Sequence, residues 1–255
     1  MVELRTPGEI EAMRAAGRVV ARALRAARDR AAVGVTLREL DEAAAQVITE
    51  EGAKPLFLDY HPAWAPTPFP GVICASVNDA VVHGIPTDDR LADGDLVSID
   101  CGALLDGWSG DAAISFTVGT ADPADTALVE AADGALWAGI AEARPGGRLG
   151  DISHAIGRAA RKAGYALLAD HGGHGIGRTM HEEPFVANDG KKGKGMRLRT
   201  GLVLALEPML IAGGKGAYRH DPDGWTVRSA GGGRAAHVEH TVAVTEDGPL
   251  VLTEP

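Results

Sequence analysis

Two ten-residue stretches of this 255-residue chain, LADGDLVSID at 91–100 and LRTGLVLALE at 198–207, align with each other without gaps. Each contains a glycine turn followed by an apolar run, and each ends in a carboxylate, Asp100 in one and Glu207 in the other. An apolar run bounded by a turn predicts a buried strand, and its recurrence indicates an internal duplication. The pair therefore predicts an α+β fold built from two related halves.

The sequence around the two stretches repeats in the same order. Helix, glycine-containing turn, helix and strands are predicted in residues 9–118 and again in residues 124–245. We expect the two halves to pack around a pseudo-two-fold axis within one domain, residues 1–255. The predicted helices begin at Thr6 and Thr36 and cover 124–143 and 150–163; the predicted strands cover 71–76, 95–101, 112–118, 165–169, 202–207, 209–212 and 236–245.

Composition excludes several classes of protein. Hydrophobic residues make up 45% and charged residues 24% of the chain, as in soluble globular proteins. The net charge of −10 argues against a nucleic-acid binder that depends on phosphate contacts. Two cysteines cannot form a disulfide framework and fit a reducing compartment, and the longest uncharged run, 60–78, contains four prolines and cannot be a membrane helix. We therefore expect a cytoplasmic protein.

The repeat places the same kinds of polar side chain at matching positions. The matched residues are His83, Asp100 and Asp111 in the first half and His174, Glu207 and Glu239 in the second. Taken singly, each has an ordinary interpretation as a turn, helix-cap or loop residue. Carboxylates beside buried strands are costly to hold as bare charges, and a pair of divalent cations would offset that cost. The duplicated set therefore predicts a metal site.

Other polar residues have weaker support. Glycines alternate around His174, and the expectation is that they let the backbone approach a ligand closely. The basic loop 191–194 is interpreted as a solvated turn, with a ribosome contact as the alternative. Both cysteines, Cys74 and Cys101, are expected to be buried thiols. The remaining histidines are assigned to the surface or to packing: His61, His154, His171, His220, His237 and His240.

Several motifs together resemble the type I methionine aminopeptidases. In chain order they are SVNDAVVHGIP at 76–86, SIDCG at 98–102, GD at 110–111, GHGIG at 173–177, MHEEP at 180–184, EPM at 207–209 and VEHT at 238–241. The resemblance runs from about residue 3 to residue 250. It implies the pita-bread fold, in which two pseudo-symmetric αβ halves form a central curved antiparallel sheet with helices outside.

The resemblance also implies a mechanism for removing the initiator methionine from nascent chains. Asp100 and Asp111 would hold one divalent ion, Asp111 and Glu239 would bridge, and His174 and Glu207 would complete a second. A water or hydroxide between the ions would attack the first peptide bond, with Glu207 shuttling the proton. His83 would lie near the peptide nitrogen and His181 near the scissile carbonyl. Cobalt, manganese, iron, zinc and nickel all suit such a carboxylate-rich site.

The pocket for the methionine side chain follows from the same resemblance. Its wall would include Tyr60, Phe69, Cys74, Met180 and Trp225, together with Phe57. Met180 stands where the family usually has phenylalanine, and the loop between Tyr60 and Cys74 is longer than usual. We expect a small second residue in the substrate and a monomeric enzyme. The alternatives are a broader aminopeptidase or Xaa-Pro peptidase of the same fold, and a binding protein of that fold without catalysis.

Overall fold

The computed structural model describes residues 2–254 and contains helices and antiparallel sheets in this region. The helices are α1 (Pro7–Arg30), α2 (Leu37–Glu50), α3 (Pro123–Glu142) and α4 (Leu149–Ala163). The first strands are β1 (Lys54–Pro55), β2 (Ile73–Val77), β3 (Ala80–Val82), β4 (Leu96–Leu105), β5 (Trp108–Thr117), β6 (Ala166–Leu167) and β7 (Gly172–Gly175). The others are β8 (Glu182–Ala187), β9 (Val203–Leu206), β10 (Met209–Ile211), β11 (Tyr218–His220), β12 (Val227–Ser229), β13 (Ala235–His237), β14 (His240–Thr245) and β15 (Gly248–Val251).

The helix starts follow from local capping. Thr6 accepts a hydrogen bond from the Glu9 N–H, and the Glu9 carboxylate accepts one from the Thr6 N–H. Thr36 and Glu39 form the same reciprocal pair at the start of α2. Each pair satisfies a free N–H of the first helical turn, which fixes where the helix begins. All four predicted helices are confirmed, with bounds within about a residue or two.

The first half of the chain packs two helices on one sheet. Strands β1 and β2 pair with different parts of β4, and β5 pairs with the whole length of β4 along its other edge. The apolar faces of α1 and α2, represented by Val20 and Leu40, are buried against Ile73 and Ile99 of this sheet. The core lies between the helices and the sheet, so the opposite face of β4 and β5 is free to carry polar side chains.

The second half repeats this arrangement with a larger sheet. Its five strands run in the order β15-β14-β9-β7-β8. Helices α3 and α4 cover it, and Leu136, Ile152 and Ile156 pack against Leu204 and its neighbours in one core cluster. None of the helices within residues 2–254 combines the length and the hydropathy needed to cross a membrane.

The two halves meet where β5 touches the segment between β13 and β14. Ala113 of β5 and Glu239 form an antiparallel bridge, with both N–H···O=C hydrogen bonds present. The predicted strand over 236–245 is wrong in its continuity, because it is divided into β13 and β14 at this bridge. The interruption turns Glu239 away from its own sheet toward β5. It therefore brings carboxylates from both halves together.

The glycine-rich segment around His174 is a strand, which the sequence did not predict. A Cβ atom at Gly173 would lie 2.1 Å from the carbonyl oxygen of Ala205, and one at Gly175 would lie 2.2 Å from that of Glu183. Both distances are shorter than any real contact, so side chains are excluded by the neighbouring strands β9 and β8. The expectation that these glycines make room for a ligand is therefore wrong at those two positions, where they make room for the sheet.

Candidate metal centre and substrate cavity

A cavity of about 930 Å³ opens at the junction of the two halves. One region of its wall is acidic and another is apolar, and histidine side chains also line it. Every residue that the sequence analysis assigned to the site lines this cavity: Phe57, Tyr60, Phe69, Cys74, His83, Asp100, Asp111, His174, Met180, His181, Glu207, Trp225 and Glu239.

Two carboxylates come from the paired strands β4 and β5. Asp100 is opposite Ala113, and Asp111 is opposite Gly102, so Asp100 and Asp111 are diagonal neighbours on one face. Antiparallel pairing brings such diagonal side chains within reach of each other. Asp100 lies inside a ten-residue strand, not at its end as the apolar run had suggested. Its position is therefore fixed by hydrogen bonds on both sides.

The second half contributes the other charged groups. His174 pairs with Ala205 in the sheet, and its Nε2 atom lies 3.6 Å from Oε1 of Glu207. Its Nδ1 atom is 2.9 Å from the carbonyl oxygen of Gly175. A carbonyl only accepts, so Nδ1 holds the proton and Nε2 presents its lone pair to the cavity. The Asn188 side chain donates to the Glu207 main-chain carbonyl and holds that residue in place.

Burial dominates the electrostatics of the acidic region. It raises the pKa of Asp100 to about 7 and that of Glu207 to about 8. Burial, reinforced by the neighbouring Asp100, raises the pKa of Asp111 well above its usual value. Burial, reinforced by Asp111, does the same to the pKa of Glu239. Four carboxyl groups at one place without a cation thus resist ionisation.

The donor atoms fit divalent cations. Buried oxygens Oδ1 of Asp100, Oδ1 of Asp111 and Oε1 of Glu239 have no hydrogen-bond partner within residues 2–254. Unpartnered buried oxygens of this kind are uncommon and call for an explanation such as an ion. Two triplets bring one donor atom from each residue within 4.8 Å of one another: Asp111 with His174 and Glu239, and Glu207 with His237 and Glu239. Carboxylate and imidazole donors suit transition-metal ions.

Two further histidines face the cavity in neutral form. Burial is the largest cause that lowers the pKa of His83 to about 3, and burial also lowers the pKa of His181. The His181 Nδ1 atom is 3.1 Å from the Tyr60 hydroxyl. The His83 Nδ1 atom has no hydrogen-bond partner in the part of the chain that the structure describes. Both rings can therefore donate or accept a hydrogen bond from a substrate without carrying charge at neutral pH.

A compact apolar pocket adjoins the charged groups. Its side chains form one cluster of buried residues, and Tyr60 packs at its edge. The Cys74 thiol is fully buried beside Asp100 and Asp111, and burial raises its pKa well above the usual value, so the thiol stays protonated. Both cysteines are buried and free, as predicted. The cluster contains Phe57, Ala65, Phe69, Cys74, Met180 and Trp225.

The proline-rich loop between Tyr60 and Cys74 covers this pocket with aromatic side chains. Phe69 and Trp225 meet edge to face with ring centroids 5.0 Å apart. Trp64 is 58% exposed, but its ring lies 5.0 Å from Trp225 and 6.3 Å from His83. The loop thus brings Trp64 to the rim, between the pocket and solvent.

Two of the histidines assigned to the surface or to packing, His171 and His220, line the cavity wall. A third, His237, lies beside Glu207 of that wall. His237 is only 2% exposed, and its Nε2 atom is 3.4 Å from Oε2 of Glu207. His237 is therefore buried and not at the surface, and its imidazole also lies beside the carboxylates of the polar cluster. A strand pattern could not have found it, because Glu239 lies between β13 and β14 and not in one strand with His237.

Comparison with known proteins gives a consistent result. The model of metallopeptidase family M24 matches residues 11–246. Methionine aminopeptidase 1 of Mycobacterium tuberculosis is 54% identical over 260 residues, covering 99% of this chain and 95% of that protein. The crystal structure of methionine aminopeptidase from Thermotoga maritima superposes with a TM-score of 0.95 at 38% identity over 100% of both chains. Prolidase from Pyrococcus furiosus shares the fold, with a TM-score of 0.77 at 23% identity over 99% of this chain and 65% of that one.

Proposed function

The chain belongs to the methionine aminopeptidases of metallopeptidase family M24, and we propose that the cavity between its two halves is the site where the N-terminal methionine is removed. The protein is a metal-dependent exopeptidase with the pita-bread fold. One observation carries the assignment of the site: unpartnered buried carboxylates and a soft apolar pocket share one cavity. The first suits cations, and the second suits a thioether side chain.

The acidic region would hold two divalent ions per chain. Asp100 and Asp111 would bind one ion, Asp111 and Glu239 would bridge, and His174 with Glu207 would bind the other. When bound, these ions would neutralise the four carboxylates, lower the pKa of a water and polarise the scissile carbonyl. Cobalt, manganese, iron, zinc and nickel remain the candidates, because oxygen donors with imidazole accept all of them.

The apolar cluster would receive the methionine side chain. Phe69 and Trp225 form its aromatic wall, and Met180 and Cys74 contribute polarisable sulfur atoms. A thioether gains from contacts with sulfur and with the edges of aromatic rings. Met180 directly precedes His181 in the chain. A residue that would contact the substrate methionine side chain is therefore adjacent to one that would act on the scissile peptide bond.

The polar residues around the pocket would handle the proton and the developing charge. Glu207 would take the proton of the attacking water and pass it to the leaving nitrogen. His181, oriented by the Tyr60 hydroxyl 3.1 Å away, would donate a hydrogen bond to the scissile carbonyl oxygen. His83 would contact the peptide nitrogen. A neutral imidazole suits both tasks, since it offers one donor and one acceptor.

The space next to the catalytic groups favours a small second residue in the substrate. The ring of His83 lies 6.3 Å from the rings of both Trp64 and His171. The second side chain of a bound substrate would lie beside these rings, where a small side chain would need the least room. We therefore extend the proposal to nascent chains in which a small residue follows the initiator methionine.

The cellular setting is proposed on general grounds. Residues 1–255 would form one catalytic domain whose halves are about 9–118 and 124–245. The enzyme would act in the cytoplasm as a monomer, without nucleic-acid specificity, and would meet new chains in a transient contact with the ribosome. The exposed lysines of the 191–194 loop are the basic surface that such a contact would use.

A comparison of three tripeptides as substrates tests the assignment of the methionine pocket. The metal-loaded enzyme is expected to cleave Met-Ala-Ser much faster than Met-Leu-Ser, and to leave Ala-Pro-Ser intact. Liberated amino acids are measured by chromatography for the wild type and for Trp225→Ala, which should lose preference for methionine. Faster cleavage of Ala-Pro-Ser than of Met-Ala-Ser would show an Xaa-Pro peptidase instead and would refute the pocket assignment.

A further inference from the structure

We propose that His237 is a ligand of the metal centre, so that the centre is bound through two imidazoles, those of His174 and His237. This inference rests on the proposed metal site and goes beyond it, because the five residues assigned above include only one histidine. It predicts a nitrogen-richer centre than those five residues alone would form.

The imidazole of His237 is buried beside two carboxylates. His237 is 2% exposed, and its Nε2 atom has no hydrogen-bond partner among the described residues. It lies 3.4 Å from Oε2 of Glu207 and 4.0 Å from Oε2 of Glu239. Both of those carboxylates are already assigned to the cations. A buried ring nitrogen that faces two such carboxylates and bonds to neither lacks an ordinary packing role.

The distances between the imidazole nitrogens and the carboxylate oxygens of Glu207 also support this assignment. Ligand atoms about 2.1 Å from a tetrahedral ion are about 3.4 Å from one another, as bond lengths of ~2.0–2.2 Å require. The Nε2–Oε2 distance from His237 to Glu207 is 3.4 Å, and the Nε2–Oε1 distance from His174 to Glu207 is 3.6 Å. Both match neighbouring ligands of one ion better than the ~2.7–2.9 Å of a charge-assisted hydrogen bond.

Hydrogen bonds to β4 and β5 fix the backbone of His237. Its N–H donates to the hydroxyl oxygens of Ser98 and Ser115, at 3.2 and 3.0 Å. Its carbonyl accepts a hydrogen bond of 2.8 Å from the Ser115 hydroxyl. Ser98 and Ser115 are opposite each other on β4 and β5, two residues from Asp100 and Ala113. The same strand pair therefore fixes both Asp100 and the backbone of His237, as expected of a preorganised ligand set.

The two imidazoles face different oxygens of one carboxylate. His174 is nearest Oε1 of Glu207, and His237 is nearest Oε2. The triplet of Glu207, His237 and Glu239 is also compact, with its donor atoms within 4.8 Å of one another. A second imidazole favours iron, cobalt, nickel and zinc over the harder manganese, because nitrogen donors strengthen binding of the later metals.

Counting the coordinated imidazoles tests the proposal. Pulsed EPR of the Co²⁺-loaded, full-length enzyme in its low-temperature high-spin state detects nitrogen nuclei of bound rings. Two imidazoles are expected in the wild type and one in His237→Ala and in His174→Ala. Calorimetric titration with Co²⁺ is expected to show affinity reduced by roughly 10- to 100-fold or more in His237→Ala.

His240→Ala is the matched control. His240 is also a mostly buried histidine beside Glu239, but its Nδ1 atom is hydrogen-bonded to Thr253 at 2.8 Å. It should leave the imidazole count at two. Should His237→Ala fail to fold, the wild type and His174→Ala decide the question, with counts of two and one supporting the proposal.

Failure of the His237 proposal and failure of the proposed function would give different results. A wild-type count of one that falls to zero in His174→Ala would overturn the role of His237 and leave the five-residue site intact. A folded wild-type protein that binds no Co²⁺ in calorimetry would instead refute the metal site itself, and with it the proposed function.

Discussion

The Thr241 hydroxyl makes two hydrogen bonds to the main chain of Asp111: it accepts from the N–H at 3.1 Å and donates to the carbonyl at 2.7 Å. Thr241 belongs to β14 of the second half and Asp111 to β5 of the first. Both groups are buried. This contact, beside the bridge between Ala113 and Glu239, sets the position of one half of the proposed metal centre relative to the other.

Thr241→Val should therefore destabilise the protein and weaken its metal site. The isosteric methyl removes both hydrogen bonds and leaves a buried N–H and carbonyl without partners, which costs about 1–3 kcal/mol each. Thermal unfolding and Co²⁺ titration measure the two effects. Thr241→Ser should retain most of the thermal stability and most of the Co²⁺ affinity, because it keeps the hydroxyl. Thr245→Val removes a hydroxyl that donates to the Gly248 carbonyl at a hairpin end, and it should change metal affinity little. Unchanged affinity in Thr241→Val would show that the contact does not position Asp111.

The metal-free protein should lose stability as the pH rises above about 7.5. In the folded state the pKa of Asp100 is about 7 and that of Glu207 about 8, whereas unfolded carboxyl groups titrate near 4. The folded state then binds more protons than the unfolded state, so stability falls until both groups have ionised. Burial lowers the pKa of several histidines in the folded state, which opposes this trend at lower pH; above about pH 7.5 histidines are mostly neutral in both states and no longer offset it.

Denaturant unfolding of the stripped protein between about pH 7.5 and 9 measures this loss. Glu207→Gln should flatten the profile, because the pKa of Glu207 is about 8, and bound divalent ions should suppress it, because cations favour the ionised carboxylates. A stability that rises with pH in the stripped protein would contradict the raised pKa values.

His181→Ala should lower kcat without releasing the metal. The ring would donate to the scissile carbonyl oxygen, and removal of one such donor typically costs about 10²–10³ in rate. Tyr60→Phe should have a smaller effect of the same kind, since it removes only the hydrogen bond that orients the ring. Steady-state kinetics on Met-Ala-Ser and metal analysis of each variant provide the measurements. Loss of metal in His181→Ala would indicate a ligand in place of a substrate contact.

Arg5 should matter for the turn that carries His181. Its side chain is 5% exposed and pairs with Glu182, whose other oxygen accepts from the N–H groups of Arg178 and Thr179. Arg5→Ala leaves a partly buried carboxylate without its cation, and breaking such a pair costs about 3–5 kcal/mol when it is fully buried. We expect a lower melting temperature and a kcat that falls more than KM changes.

Arg178→Ala is the control for Arg5. That guanidinium lies 3.5 Å from the ring centre of Trp108, outside the cavity, and its removal should leave kcat unchanged. Equal kinetic effects of the two variants would argue against a specific role of Arg5 in positioning the turn.

Much of the fold was accessible from the sequence because local rules agreed with the final structure. Capping residues marked the starts of α1 and α2, and the apolar runs ending at Asp100 and Glu207 marked buried strands. The short strands β7 and β8 were not predicted. Glycine has a low intrinsic preference for strands, and only the close approach of neighbouring backbones explains Gly173 and Gly175.

The site was predictable where the repeat placed like residues at matched positions. His237 has no partner in the repeat and so was assigned to packing or the surface. Its role depends on the interruption between β13 and β14, which follows from the bridge to Ala113. This bridge joins Ala113 and Glu239, which are 126 positions apart in the sequence, so no local sequence pattern predicts it.

Removal of the N-terminal methionine by this protein should require divalent metal in the cavity. The most direct measurement is free methionine released from Met-Ala-Ser by the metal-stripped wild type, with and without added Co²⁺ or Mn²⁺, beside Asp111→Asn. The account predicts release only with metal, and little or none from Asp111→Asn under any condition. A folded wild-type protein that releases no methionine with any divalent ion would contradict it.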